Sequence, residues 1–386
     1  MLSAPEDLFH PAPAAFASDT WQLLGADCSY YTAKISAFLH YKRIPHQNIL
    51  ATREIFAEHI LPRVGWPVIP VLLGPNATTL QDTSDMVDAL ELAYPQVPTL
   101  PADAAGRFLV YLMELLFDEW VKVPALHYRW NHDNDFAISE FGRNNDPTLQ
   151  RERQLEIGAK IATRFRGWLG ALGVNEIAAP AIETEYQLLL AGLDAHFSQH
   201  HFLLGPTPSL ADCALYGPFH AHLFRDPNSG ALMKSLAPQV VAWVCRMGAV
   251  PAIGEQPTHT QIPDTLRPVL RQLCRDYVPV LLAQTAALQA WLASHTETEI
   301  PRELGRHTVT LGRGTAHEVG TGRAIFSYDH WMLQRALAVY AAADAQTRET
   351  ITKLAEAIGA AELLALPDMP LVARRGFKLV RTQEAV

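Results

Sequence analysis

Between Trp21 and about residue 100, short apolar runs alternate with stretches of helical period. Trp21 to Leu24 reads as a buried strand. Behind it Tyr31, Ile35, Phe38 and Leu39 recur at i, i+4, i+7 and i+8, the spacing of one helix face, so a helix starts near Ser29. His46 to Leu50, Val68 to Leu73 and Thr78 to Gln81 read as three further strands. Asp82 to Leu92 reads as a helix capped by Thr83 or Ser84. The order of strand, helix, strand, irregular segment, two strands and helix predicts an α/β unit of about 80 residues.

Pro95, Pro98 and Pro101 remove backbone donors and favour extended geometry, which makes the next stretch a linker. Helix then follows helix. Phe108, Leu112, Leu115 and Leu116 form one stripe; Ile161, Phe165, Trp168, Leu169 and Leu172 form another; Ile182, Tyr186, Leu189, Leu190 and Leu193 form a third. From about Thr258 helical sequence continues through Trp291. It then turns glycine-rich at Thr308–Gly314 and Gly320–Arg323, where a short hairpin is expected, and ends in a helical stretch from Asp329 to about Leu366. The predicted organisation is an irregular arm at 1–18, marked by Pro5, Pro11 and Pro13, an α/β domain at 19–95, a helical domain at 102–255 and an extension at 256–386.

Composition narrows the function classes. At 386 residues, with 49% hydrophobic and 18% charged, the chain has material for two or three packed units. A net charge of -9 without a basic patch argues against nucleic acid. No apolar run approaches the ~18 residues of a membrane span, and no signal peptide is evident. Cys28, Cys213, Cys245 and Cys274 include no CxxC spacing, which fits reduced thiols in the cytoplasm.

Two segments carry chemistry. In Gly65–Leu73 a proline, Pro70, heads an apolar run, where it removes a ladder hydrogen bond. An ordinary turn is one reading. A cis Ile69–Pro70 bond is the other, and it would turn the Ile69 main chain outward to pair with an extended peptide. Ten residues on, Leu80–Leu90 runs from a strand end into a capped helix, whose free N–H groups and dipole either attract a carboxylate or serve a simple cap.

In this order and spacing the two segments resemble the N-terminal half of glutathione transferases. Ser29-Tyr-Tyr-Thr-Ala-Lys-Ile-Ser is similar to that family's S-P-Y-S-x-K-V pattern, with Tyr30 in place of the proline and Cys28 one position earlier. The resemblance implies a thioredoxin-like α/β N-terminal domain followed by an all-α domain, and glutathione as co-substrate. It assigns Ile69, Pro70, Asp82 and Thr83 to glutathione binding, and Ser29 to the sulfur as catalytic residue. Tyr30 is expected to line the same site, with Tyr31 in the core. Trp120, Tyr128 and Arg129 would face a small hydrophobic electrophile, unless Arg129 forms a structural ion pair with Glu119 or Asp118. Gly205–Tyr216, with Ser209 and Asp212 at capping-box spacing, resembles the helix-initiating motif of the family's second domain, a folding role.

The chemistry follows from the thiol. With a pKa near 8.5 it is mostly protonated at neutral pH, while only the thiolate attacks. A hydroxyl at a helix N-terminus stabilises the anion by a hydrogen bond and by the dipole. Conjugation is therefore the leading expectation. Alternatives are a non-catalytic binding protein of the same fold, and a thiol-disulfide reductase in which Cys28 meets the sulfur. His196, His200 and His201 lack a completing ligand, so no metal is expected. Long bacterial family members with such extensions look similar, including at Trp331–Arg335; the extension would cover the pocket or occupy the surface on which ordinary members form homodimers.

Overall fold

The computed structural model describes residues 8–10, 20–249, 254, 261–366 and 371–382. Most of the arm expected at 1–18 lies outside them. Strands β1 (Trp21–Gly25), β2 (His46–Leu50), β3 (Val71–Leu73) and β4 (Thr79–Gln81) form one sheet in the order β2-β1-β3-β4. The β1–β2 pair is parallel and the others antiparallel. A parallel pair needs a crossover, which helix α1 (Tyr30–Tyr41) supplies. Alternation divides the sheet residues: Leu23 and Leu72 face α1, while Leu24, Ile49 and Val71 pack on Ile55 and Ile60 on the other side. β3 starts at Val71, later than expected, because Pro70 has no N–H to donate. Helix α2 (Thr83–Ala93) is capped by Asp82, one residue before the expected cap: its Oδ1 accepts the Ser84 N–H at 2.9 Å.

The helical region contains α3 (Ala104–Leu115), α4 (Lys122–His127), α5 (Asn134–Asn145), α6 (Arg151–Gly167), α7 (Ala179–Phe197), α8 (Leu210–Pro218), α9 (Pro227–Leu236) and α10 (Pro238–Gly248). Helix α3 runs into α4 through a π-helical turn, Leu116–Trp120, and a second, Tyr128–His132, follows α4. Glycine lets α5 and α6 touch backbone to backbone: a Cβ on Gly142 would lie 2.0 Å from the Gln154 carbonyl oxygen. The capping box that starts α8 is fully formed and buried. Asp212 accepts from Ser209 N–H at 2.9 Å, Leu203 N–H at 3.0 Å and Trp243 Nε1 at 3.2 Å.

The extension comprises α11 (Arg267–Ser294), the hairpin β5 (Glu303–Leu311)–β6 (Val319–Phe326), α12 (Ser327–Ala342), α13 (Ala345–Ile358) and a second, unanticipated hairpin β7 (Val372–Arg375)–β8 (Lys378–Arg381). The last helical stretch is broken at Asp344, whose carboxylate accepts the Thr347 N–H at 2.8 Å and restarts the helix. Helix α12 packs along α3, and extension residues such as Met332 and Leu333 share one continuous core with α1 and α3. Among the described residues no helix is long and apolar enough to cross a membrane.

Candidate active site

The sheet brings three segments to one edge. Val71 pairs with Leu24 on one side and with Gln81 on the other, so the chain leaves β1, enters β3 and leaves β4 at the same end. Ser29, Ile69–Pro70 and Asp82–Thr83 are placed there by topology. Ser29 caps α1: its Oγ accepts the Thr32 N–H at 3.4 Å, which leaves the hydroxyl proton free to donate. It is half-buried, at the positive end of the helix dipole. The Ile69–Pro70 peptide is cis, with Ile69 half-buried and Pro70 buried. Asp82 has φ +80°, a conformation disfavoured for a side chain with a Cβ and one that concentrates at functional sites.

The acidic end is occupied by the extension. Tyr328 donates its hydroxyl to Asp82 Oδ2 at 2.8 Å, and Arg374 Nη1 lies 3.4 Å from the same oxygen. Arg374 also binds Asp85 at 2.7 Å and Gln81 Oε1 at 3.0 Å. Burial pushes Asp85 up to about 6 against the pull of Arg374. Thr83 is buried, and Ser84, fully buried, donates to Glu114 at 2.9 Å and lies 3.3 Å from the Met332 sulfur. Glu114 sits between Lys34 Nζ, at 2.6 Å, and Arg335 of α12, which also binds Asp88 at 2.6 Å. Burial alone would raise Glu114, but the two cations bring it down to about 2. Asp118, 2.5 Å from the same Lys34, is pushed up to about 7 by burial.

One cation at this edge keeps its charge available. Arg302 is exposed and stacks 3.9 Å above the Trp66 ring, within electrostatic reach of Arg374, Asp82, Tyr328 and Tyr31. Among the described residues no carboxylate pairs with it.

Several expected site residues lie elsewhere. Tyr30 is buried, its hydroxyl donating to the Phe117 carbonyl and its ring 5.6 Å from His222, so it belongs to the core between sheet and helices. Its neighbour Tyr31, expected in the core, is half-buried and reaches the Asp118 carbonyl at 3.2 Å and Glu119 at 3.3 Å. The apolar stripe misassigned the pair because α1 is buried almost all round. Cys28 is 3% exposed, accepts from Asn144 at 3.2 Å, and burial pushes its thiol up to about 11. Protonated and inaccessible, it is not poised for disulfide exchange.

Arg129 is not in an electrophile pocket. It grips Asp226, rather than Glu119 or Asp118, with two bonds of 2.7 Å, and donates to the Cys28 and Ala221 carbonyls at 2.6 and 2.7 Å. Tyr128 is buried with its ring 5.1 Å from Tyr186. Trp120 lines a cavity of about 40 Å³ with Tyr186, Asp276 and Leu311, and stacks at 4.8 Å on Tyr277 of α11. That volume suits a water or two rather than an organic substrate. His196 is spent on Thr265 at 2.9 Å and the Phe202 carbonyl at 3.3 Å.

Tyr31, Arg302, Tyr328 and Arg374 were missed. The last two reach Asp82 across more than 240 residues of sequence, and no local pattern marks such a contact.

Comparison with known proteins meets this geometry at two places. Residues 23–98 match the family model for the glutathione S-transferase N-terminal domain, and residues 172–251 the model for the glutathione S-transferase C-terminal domain. The chain belongs to the glutathione transferase family. It is a member with a C-terminal extension, built as a thioredoxin-like N-terminal domain and a helical domain. Among solved structures it is similar to the beta-etherase from Sphingobium sp. strain SYK-6, at 18% identity over 60% of this chain and 95% of that one, with a TM-score of 0.44. A glutathione transferase family member from Pseudomonas fluorescens pf-5, solved with two glutathione bound, is 16% identical over 67% of this chain and 95% of that one, with a TM-score of 0.38. A glutathione S-transferase from Methylobacterium radiotolerans JCM 2831, in complex with glutathione sulfonate, is 19% identical over 63% and 100%, also with a TM-score of 0.38. No curated protein matches the chain.

Proposed function

We propose that this glutathione transferase family member binds glutathione and conjugates it to a small hydrophobic electrophile. In this reading Ser29 donates a hydrogen bond to the sulfur, and the α1 dipole adds to the stabilisation of the thiolate. The Ile69 main chain pairs with the cysteinyl residue as an added strand. The acidic end departs from the family pattern. Asp82 already holds Tyr328 and Arg374, so the γ-glutamyl carboxylate is drawn to Arg374 and Arg302 instead of the ammonium group to Asp82. The observation that carries the proposal is the half-buried Ser29 hydroxyl, with an uncommitted proton, at the start of α1 and at the sheet edge shared with Ile69–Pro70. Four unpaired cysteines support a reducing, cytoplasmic setting.

The test is turnover. A panel of aryl halides, epoxides and enones with millimolar glutathione is expected to yield at least one conjugate, with the rate collapsing in Ser29→Ala. No heat of glutathione binding at several temperatures would overturn the proposal. A second reading, a non-catalytic protein of the same fold, is favoured by the occupation of Asp82. Binding of glutathione without turnover of any electrophile would select it, whereas turnover indifferent to Ser29→Ala would remove Ser29 from the catalytic role.

A further inference from the structure

Away from the groove, one group of side chains aims three donor atoms at a single point. His127 ends α4, His132 ends the π-helical turn Tyr128–His132, and Glu183 lies near the start of α7. His127 Nε2 is 2.9 Å from Glu183 Oε1, His132 Nε2 is 3.1 Å from the same oxygen, and the two ring nitrogens are 3.3 Å apart. Metal bonds of about 2.0–2.1 Å in a tetrahedral site set neighbouring donors about 3.3–3.4 Å apart. The cluster needs to open by only a few tenths of an ångström to accept an ion.

The backbone makes this convergence. Side chains five apart on a regular α-helix point about 140° away from each other around the axis. Here the Asp133 N–H donates to the Tyr128 carbonyl at 3.0 Å, the i→i+5 pattern of a π-turn, and the widened turn carries both imidazoles to the side facing α7. Such turns concentrate at functional sites.

The surroundings suit a cation. Among the described residues Glu183 has no lysine or arginine partner; its ion-pair partners are the two imidazoles. His127 is buried, whereas the His132 and Glu183 side chains are 40% and 35% exposed, which opens one side to an entering ion and to a water as fourth ligand. The Asn131 amide lies 3.0 Å from His127 Nδ1. With its carbonyl oxygen turned to that nitrogen it would accept the Nδ1 proton and leave the Nε2 lone pair aimed at the ion, the supporting contact that metal-bound histidines usually have.

We propose that His127, His132 and Glu183 form a binding site for a divalent transition metal of the zinc class, with water in the remaining position. Two imidazoles and one carboxylate suit zinc, cobalt or nickel and disfavour calcium and magnesium, which prefer all-oxygen sets. The sequence expectation of no metal considered only His196, His200 and His201, which are not part of this cluster.

The experiment uses the full chain, stripped with a chelator and titrated with zinc chloride by calorimetry, with bound metal counted by mass spectrometry after dialysis. One zinc per chain is expected in the wild type. The double variant His132→Ala/Glu183→Ala, made at the two partly exposed ligands so that folding is spared, is expected to lose at least 100-fold in affinity. Asn131→Ala is expected to lose about tenfold, and His200→Ala none. Cobalt chloride should give visible bands of a tetrahedral site in the wild type and His200→Ala but not in the double variant. Failure of the wild type to retain zinc, or equal retention by the folded double variant, would overturn the assignment.

Discussion

The two ends of the candidate groove differ in who supplies the partners. At the end proposed to hold the sulfur, Ser29, Ile69 and Pro70 come from one α/β unit and stand within about 40 residues of each other. At the acidic end Asp82 comes from that unit, but Tyr328 and Arg374 come from the extension. A framework of strand pairing can therefore keep its shape while a distant segment changes the charge it presents. The sulfur end offers a hydroxyl donor to an anion. The acidic end, where a bare carboxylate would select an ammonium group, instead offers guanidinium groups.

The largest expected effect lies where the extension clasps the first domain. Arg335→Met removes one of two cations from fully buried Glu114. Breaking a buried charge network costs about 3–5 kcal/mol, so urea denaturation should show a loss near 3 kcal/mol; a loss under 1 kcal/mol would mean that the extension decorates rather than builds this end. Next comes Ser29→Ala at the sulfur end. Removing one donor to a developing anion typically costs about 10²-fold in kcat, and the lost helix cap about 1 kcal/mol of stability. Conjugation kinetics and melting curves measure the two separately.

A pH dependence tests the buried carboxylates between the two ends. Burial pushes Glu119 and Asp118 up to about 7, despite Lys122 and Lys34, from ordinary values of 4.5 and 3.8. Between pH 5 and 7 the folded chain thus holds protons that the unfolded chain has released, so these groups make stability fall as pH rises through that window. Glu119→Gln should flatten the slope, and an unchanged slope in urea melts would count against the burial argument. The smallest effect is expected at Cys28. With its thiol near 11 and the side chain enclosed, Cys28→Ser should leave turnover unchanged, and iodoacetamide should spare Cys28 in the native protein at pH 8.

What the sequence disclosed follows the same division. The four strands, α1 and its Ser29 start, and the Ser209–Asp212 cap were legible because each rests on local period or capping chemistry within a dozen residues. The hairpin at Thr308–Arg323 was visible through its glycines. Tyr30 and Tyr31 were exchanged because a helix buried on nearly every side carries no reliable stripe. Arg129 and Trp120 were expected in a pocket because an aromatic, charged cluster looks the same whether its charges meet a ligand or, as with Asp226, each other. The π-turn that joins His127 to His132 was hidden because i, i+5 spacing has no meaning on a regular helix.

The most direct test is calorimetric titration of glutathione into the wild type, Arg302→Ala and Arg374→Ala. A carboxylate held by a guanidinium contributes about 1.5–3 kcal/mol, so the account predicts binding by the wild type and at least tenfold weaker binding by each variant. Absence of binding to the wild type, or tighter binding once Arg374 is removed, would show that the extension closes the acidic end instead of reading it.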